Sequence, residues 1–254
     1  MPEITQLAAR QLRDYDARTP GTMFAESISL DVREAYAIQT EVSRLREQRG
    51  ERLIGYKVGC TSPTIQRQLN ISHPVFGRLF DSDSWESKTD FASTRFASPA
   101  IEGELAVRLA RDLPVDSSDE EIFDVIDSVF AVIELHNLVF RRGSPTTEEL
   151  IANNAIHAGF VYPTDLSPYA PHEPGSLQIE INDAIVATVP GTDLIRTIVG
   201  SLNWLSRELH HHGLGLLAGQ TILCGSVAEV FPVTANSRIV VAADRFGSVE
   251  CMIN

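Results

Sequence analysis

The chain has 254 residues, enough to bury a full core as one large domain or as one domain with a helical extension. Its 34 acidic against 21 basic residues give a net charge of −13, which argues against nonspecific binding to nucleic acid or to an anionic membrane. No apolar run approaches the roughly 20 residues of a membrane span, and Met1-Pro2-Glu3-Ile4-Thr5 lacks signal-peptide character, so a cytoplasmic protein is expected.

Residues from about 4 to 49 are helical in pattern, with Val32, Ala35, Ile38, Val42 and Leu45 on one face and Gly50 ending the second helix. The period then changes. Leu53–Cys60 reads as a strand, and Ser62-Pro63 opens a short helix that runs to Leu69. Residues 70–99 are polar, rich in Ser and Asp, and read as a loop or lid with small strands. Strands dominate afterwards, at about 101–110, 128–136, 157–163, 176–182, 185–189, 220–225, 237–243 and 246–253. Asn182-Asp183 and Arg245-Phe246-Gly247 suit hairpin connections. One long amphipathic helix, Asp193–His212, carries Leu194, Ile198, Leu202, Leu205 and Leu209 on its buried side. The His210-His211-His212 run ends that helix, where such residues complement the helix dipole, and consecutive residues share no face; it is read as structural. The organisation predicted is a helical segment at 1–50 and a β-rich catalytic body at 51–254 with a lid at 70–99.

Three glutamates stand out. In Ile101-Glu102-Gly103-Glu104-Leu105 the alternation of an extended chain puts Glu102 and Glu104 on one face. A wet sheet face would tolerate that pair alone. Glu134, however, sits within Val129–Leu135, an apolar run whose continuity suggests burial on both faces. Neighbouring buried carboxylates need positive charge to offset desolvation and repulsion, and a hard divalent cation supplies it. All-oxygen ligation points to Mg²⁺ or Mn²⁺. Cys60, Cys224 and Cys251 are odd in number and far apart, so they read as reduced structural thiols, and no spaced Cys/His pattern supports zinc. Phosphate-binding glycine loops and a GxSxG nucleophile are absent.

Taken in order, Gly55-Tyr56-Lys57-Val58-Gly59-Cys60-Thr61-Ser62, Phe76-Gly77-Arg78-Leu79, Glu102-Gly103-Glu104, Glu134, and Ala218-Gly219-Gln220 through Gly225-Ser226 resemble a known group. It is the 2-keto-4-pentenoate hydratase and 4-oxalocrotonate decarboxylase branch of the fumarylacetoacetate hydrolase superfamily. The resemblance implies an α+β fold: a mixed, curved β-roll or barrel-like body with flanking helices and a small helical N-terminal part. It also implies a Mg²⁺ or Mn²⁺ held by Glu102, Glu104 and Glu134, and it maps the family's strand lysine onto Lys57. As a lone residue Lys57 also admits a plainer reading, snorkelling from a strand edge. The family's Asp and Arg after the third glutamate are replaced in Glu134-Leu135-His136-Asn137-Leu138, its Asp-Asn pair is Asn153-Asn154, and its Ser-Leu-Thr-Gly becomes Ser226-Val227-Ala228-Glu229.

The chemistry so implied acts on a small 2-oxo or 2-hydroxy-dienoic acid. A hydratase would add water to a 2-hydroxy-2,4-dienoate to give a 4-hydroxy-2-oxo acid; the alternatives are a decarboxylase of a 2-oxo-3-enedioate and a metal-binding pseudoenzyme or assembly subunit. Lys57 is the acid/base or electrostatic candidate, and Ser62, His73, His136 and Glu229 are candidates to activate water. Gly77, Leu79, His136, Asn137, Ser226 and Glu229 are expected to contact substrate. Glu229, if it faced the pocket, would repel a second substrate carboxylate, which tilts the reading to the hydratase. A homo-oligomer with neither nucleic-acid nor membrane partners is expected.

Overall fold

The computed structural model describes residues 4–26, 28–69, 71–143, 145–166 and 175–254. Helices α1 (Ile4–Asp16) and α2 (Val32–Gln48) make the N-terminal part, linked through a 3-10 turn at Thr22–Ala25. The Asp31 side chain accepts from Glu34 N–H at 2.7 Å and Glu34 reaches back to Asp31 N–H at 2.9 Å. That reciprocal pair satisfies two donors that a helix start leaves open.

Strand β1 (Leu53–Gly59) is followed by helix α3 (Pro63–Leu69) and strand β2 (Val75–Phe80), which pairs antiparallel with β1. Every residue of β2 is buried. The sequence pattern predicts a loop or lid with small strands over residues 70–99; Asn70 lies outside the described residues, and residues 75–80 differ from that expectation in forming a buried strand of the main sheet. A strand covered on both faces shows no polar alternation, so nothing in the pattern announced it. The small strands expected there are β3 (Ser84–Glu86) and β4 (Thr89–Phe91).

The remaining elements are β5 (Pro99–Leu109), α4 (Asp119–Asp124), β6 (Ile126–Asn137), α5 (Thr147–Ala152), β7 (His157–Tyr162), β8 (Ser176–Ile181) and β9 (Ala184–Pro190). After them come α6 (Gly191–His211), β10 (Thr221–Leu223), β11 (Phe231–Pro232), β12 (Ser237–Ala243) and β13 (Gly247–Ile253). The five leucine and isoleucine positions predicted for the inner side of α6 are all buried. The β8–β9 hairpin turns at Asn182 and Asp183, with φ of 52° and 63°, the left-handed pair that a tight two-residue connection requires. His212 closes α6 and packs its ring 4.6 Å from Tyr36 and 5.7 Å from Phe76, a structural role for that histidine, while His210 and His211 are exposed.

Among the described residues the main sheet has the order β2-β1-β10-β5-β6-β7-β3, with β11 also on β5, and a second sheet has the order β4-β13-β12-β8-β9. Strand β2, at one end of the main sheet, also touches β7 near the other end, so the sheet curls towards closure. Strand alternation then separates two faces. The concave one carries Leu79, Ala106, Phe130, Val132, Phe160 and Leu223 as an apolar cluster apart from the main core. Glu104 lies two residues before Ala106 and Glu134 two after Val132, so the acidic side chains share that face. On the convex face Ile101, Leu105, Val107 and Ile133 join the main core. There a Cβ on Gly103 would meet Ile179 Cγ1 at 2.6 Å and Val241 Cγ2 at 2.9 Å. The missing side chain lets the second sheet close on β5 between the two acidic residues. No helix among the described residues is long and apolar enough to cross a membrane.

Candidate metal centre

Glu102 and Glu134 are direct cross-strand partners in the β5–β6 ladder, which brings two carboxylates together at the concave face. Lys57 reaches them from β1: it lies opposite Leu223 of β10, which lies opposite Ala106 of β5. Its Nζ is 3.2 Å from Glu134 Oε1. His157, opposite His136 in the β6–β7 ladder, places Nδ1 2.7 Å from that same oxygen. His136 Nε2 stands 3.0 Å from Glu102 Oε2 and 3.9 Å from Glu134 Oε2. Glu104 turns one oxygen to the Gly225 backbone N–H, which donates to it. One ligand atom each from Glu102, Glu134 and His136 falls within 4.8 Å of the others.

All of these side chains are buried. Burial pushes the Glu134 carboxyl up, but the Lys57 ammonium, His136 and the hydrogen bond from His157 outweigh it and hold Glu134 well below the ordinary range. Burial alone would lower Lys57; the Glu134, Glu102 and Glu104 carboxylates raise it instead. Glu104 is raised well above the usual range by burial and by the charges of Glu134 and Glu102. His157 is lowered by burial.

This chain's residues fit a divalent cation. With all three carboxylates ionised, the Lys57 ammonium compensates only one of them, in a setting where unpaired charge is costly. Glu104 Oε1 and Glu134 Oε2 are buried without a hydrogen-bond partner among the described residues. Free carboxylate oxygens at an uncompensated negative site are what a hard cation requires.

A small cleft, a cavity of about 20 Å³, adjoins the cluster, lined by Lys57, Glu102, His136, Ala155, Ile156 and Val230 among others. Asn154, Ala155 and Ile156 are three successive left-handed residues, with φ of 54°, 52° and 57°. Such positions cost on the order of 1–3 kcal/mol each for residues other than glycine. The Asn154 amide holds the turn by accepting from Arg78 N–H at 2.7 Å and donating to Arg78 O at 2.9 Å. The turn thereby offers Ala155 O to Lys57 Nζ at 3.5 Å. Gly77, the cross-strand partner of Lys57, makes room: a Cβ there would meet Asn154 O at 2.7 Å and Lys57 Cγ at 3.1 Å.

Of the residues singled out from sequence, Lys57, Glu102, Glu104, Glu134 and His136 come together, with Gly77 beside them. Leu79 forms part of the apolar floor on the same face. Ser226 is buried next to Gly225, its hydroxyl 3.3 Å from Ala228 O and 3.5 Å from Gly103 O. Others lie elsewhere. Ser62 Oγ accepts from Ile65 N–H at 3.2 Å and caps α3. His73 is exposed, its Nδ1 3.0 Å from Pro74 O, and does not line the cleft. Asn137 Oδ1 accepts from Ala97 N–H at 2.8 Å and ties the end of β6 to the segment before β5. Glu229 is exposed in a separate groove beside β9, so its charge does not face the cleft. Sequence reasoning missed His157 and the Asn154–Ile156 turn. A histidine opening the strand after the acidic one was the single available signal.

No family model matches the sequence. Over 243 residues the chain is 30% identical to 2-oxo-hept-4-ene-1,7-dioate hydratase of Escherichia coli, covering 89% of this chain and 90% of that one. It is 28% identical to 2-keto-4-pentenoate hydratase of Paraburkholderia phymatum, over 85% of this chain and 84% of the relative. The 2-hydroxyhexa-2,4-dienoate hydratase of Comamonas testosteroni is also 28% identical, over 91% and 90%. Among solved structures, 4-oxalocrotonate decarboxylase from Pseudomonas putida G7, complexed with magnesium and adipate, matches with a TM-score of 0.89 at 21% identity, covering 99% of this chain and 97% of that one. Fumarylpyruvate hydrolase from Pseudomonas aeruginosa, in complex with Mn²⁺ and pyruvate, matches with a TM-score of 0.60 at 15% identity, over 78% and 88%.

Proposed function

The chain belongs to the 2-keto-4-pentenoate hydratase and 4-oxalocrotonate decarboxylase branch of the fumarylacetoacetate hydrolase superfamily, and on that premise we propose that it is a divalent-metal-dependent lyase. Its reaction is hydration of a 2-hydroxy-2,4-dienoate to a 4-hydroxy-2-oxo acid. The observation that carries this reading is the convergence of Glu102 and Glu134, with Glu104 beside them, against the Lys57 ammonium in a closed concave face.

The carboxylates would hold Mg²⁺ or Mn²⁺, which when bound supplies a Lewis acid for the 2-oxo-acid end of the substrate. Lys57 keeps a proton on Nζ in the buried site, because three carboxylates surround it. That ammonium is placed to stabilise negative charge on the substrate and to return a proton to its chain. The apolar floor of Leu79, Phe130, Val132 and Phe160 excludes water below the reacting end. Ile156 and Val230 border the cleft on its other side. The site suits a small soluble acid; a cytoplasmic homo-oligomer is part of the same proposal.

The decarboxylase reading shares the site, and one observation keeps it in play: Glu229, whose charge was expected to reject a diacid, does not face the cleft. One assay separates the readings. Metal-loaded protein is offered a monoacid 2-hydroxydienoate and a 2-oxo-3-enedioate while loss of the dienol chromophore and release of CO₂ are followed. Hydration of the monoacid without CO₂ supports the proposal. CO₂ release with strong preference for the diacid replaces it with the decarboxylase, and bound metal without turnover of either leaves a pseudoenzyme.

A further inference from the structure

We propose that a second cavity, enclosed by α1, α2 and the start of β7, holds an ordered water bonded to Gln11, Asn153 and His157, and that through this water Gln11 acts as a positioning residue for Glu134. The inference rests on the metal-binding part of the function proposed above and adds a residue of the N-terminal helical part to what holds that site in shape.

This cavity measures about 30 Å³, and a water needs about 10–15 Å³ together with about 2–4 polar partners. Gln39 and Asn154 line it with their polar atoms already matched: the Gln39 amide donates to Phe76 O and Ile151 O and accepts from Arg78, and the Asn154 amide is spent on the Arg78 backbone. Three other lining side chains are not matched. Gln11 Oε1, Asn153 Nδ2 and His157 Nε2 are buried without a hydrogen-bond partner among the described residues, on residues only 4%, 8% and 3% exposed. Buried polar atoms of this kind are rarely left unmatched in a folded protein.

One water closes the count. His157 Nδ1 faces Glu134 Oε1 at 2.7 Å; a carboxylate has no hydrogen to give, so Nδ1 donates and the neutral ring keeps Nε2 as an acceptor. Gln11 Nε2 donates to Asn153 Oδ1, which sets the two amides side by side and leaves one acceptor, Gln11 Oε1, and one donor, Asn153 Nδ2. A water gives its hydrogens to the two acceptors and takes one from the donor. Exchanging the ends of both amides leaves one acceptor and one donor again, so the count does not hang on that assignment. The water also has a mechanical consequence. Bonded at Nδ1 alone, the His157 ring can swing about that bond; bonded at both nitrogens it is fixed, and it fixes the Glu134 oxygen that it shares with Lys57. Glu134 Oε2 is then aimed by a chain of bonds that begins on α1.

The test is a crystal structure of the full-length protein with Mg²⁺, together with Mg²⁺ and Mn²⁺ affinities from titration calorimetry. Density for a water about 2.7–3.2 Å from all three atoms is expected. Gln11→Met, which keeps the length of the side chain and loses both polar atoms, should weaken metal binding about tenfold, as loss of a group that orients a ligand does. Asn153→Leu removes another partner of the same water and should weaken binding as much, so the role is still decided if Gln11→Met does not fold. Leu7→Ala, a core substitution on the same helix, should lower Tm and leave metal affinity within about twofold. No water at that place, wild-type affinity in both polar variants, or an equal loss in Leu7→Ala overturns the proposal and leaves the metal site standing. A wild type that binds neither Mg²⁺ nor Mn²⁺ overturns the metal reading and the positioning role together.

Discussion

Replacing Lys57 with Met removes the ammonium and keeps the length of the side chain, so it tests how the concave face balances its charge. With Nζ 3.2 Å from Glu134 Oε1, an effective dielectric of about 20 puts the attraction at about 5 kcal/mol. The measured loss should be smaller, because a stranded carboxylate takes up a proton instead. Protonating a carboxyl of reference pKa about 4.3 costs about 3.7 kcal/mol at pH 7 and about 1 kcal/mol at pH 5. The sign follows from Glu134, whose folded value is depressed in the wild type. Its contribution is therefore present above the unfolded value and lost as pH falls through the folded one. Lys57→Met reverses the shift, so its destabilisation should be small near pH 5 and grow as pH rises. For 254 residues the unfolding entropy of about 0.5 kcal/mol/K turns a loss of about 3–4 kcal/mol into a Tm drop of about 6–8 °C at pH 7. The assay is thermal and urea unfolding of chelator-treated wild type and variant at both pH values. Equal losses at pH 5 and pH 7, or a loss under about 1 kcal/mol at pH 7, would refute the charge argument.

Two further substitutions probe the scaffold and the edge of the site. Gly103→Ala would press a methyl onto Ile179 and Val241 at 2.6–2.9 Å, and should cost about 1–3 kcal/mol; an unchanged Tm would mean that the sheets are not in close contact there. His73→Ala should leave kcat/KM within about twofold, as expected of an exposed side chain outside the cleft, and a hundredfold loss in steady-state turnover would place His73 in the reaction after all.

Much of this architecture was legible because local pattern and tertiary role coincide. The glutamate-glycine-glutamate alternation read in residues 102–104 is the alternation that aims both acids inward and the glycine at the second sheet. The stripe of five apolar residues in α6 and the Asn182-Asp183 turn depend on nearest neighbours alone. Strand β2 escaped notice because Val75–Phe80, buried on both faces, carries Gly77 and Arg78 in its middle, and both residues dilute a strand signal. The site was legible where acids share a strand face, and illegible where it depends on which strands become neighbours. His157 meets Glu134 only through the pairing of β6 with β7, and Glu104 turns to Gly225 only because β10 lies beside β5. Ser62, His73 and Glu229 read as catalytic candidates by chemical type and Asn137 as a substrate contact, whereas in space Ser62 caps α3, His73 and Glu229 are exposed and Asn137 tethers the end of β6.

The facing of Glu102 and Glu134 makes charge compensation in this molecule a matter of assembly order. Strands β5 and β6 are close in sequence and would pair early by loop-closure entropy, yet directly opposed like charges disfavour that pairing. The lysine that answers them is already synthesised, on β1, but β1 meets β5 only through β10, whose three residues lie near the C-terminus at Thr221–Leu223. A growing chain thus holds its acidic hairpin and its lysine apart until β10 has been made, and in that interval His136 on β6, protons and dissolved cations are the counter-charge at hand.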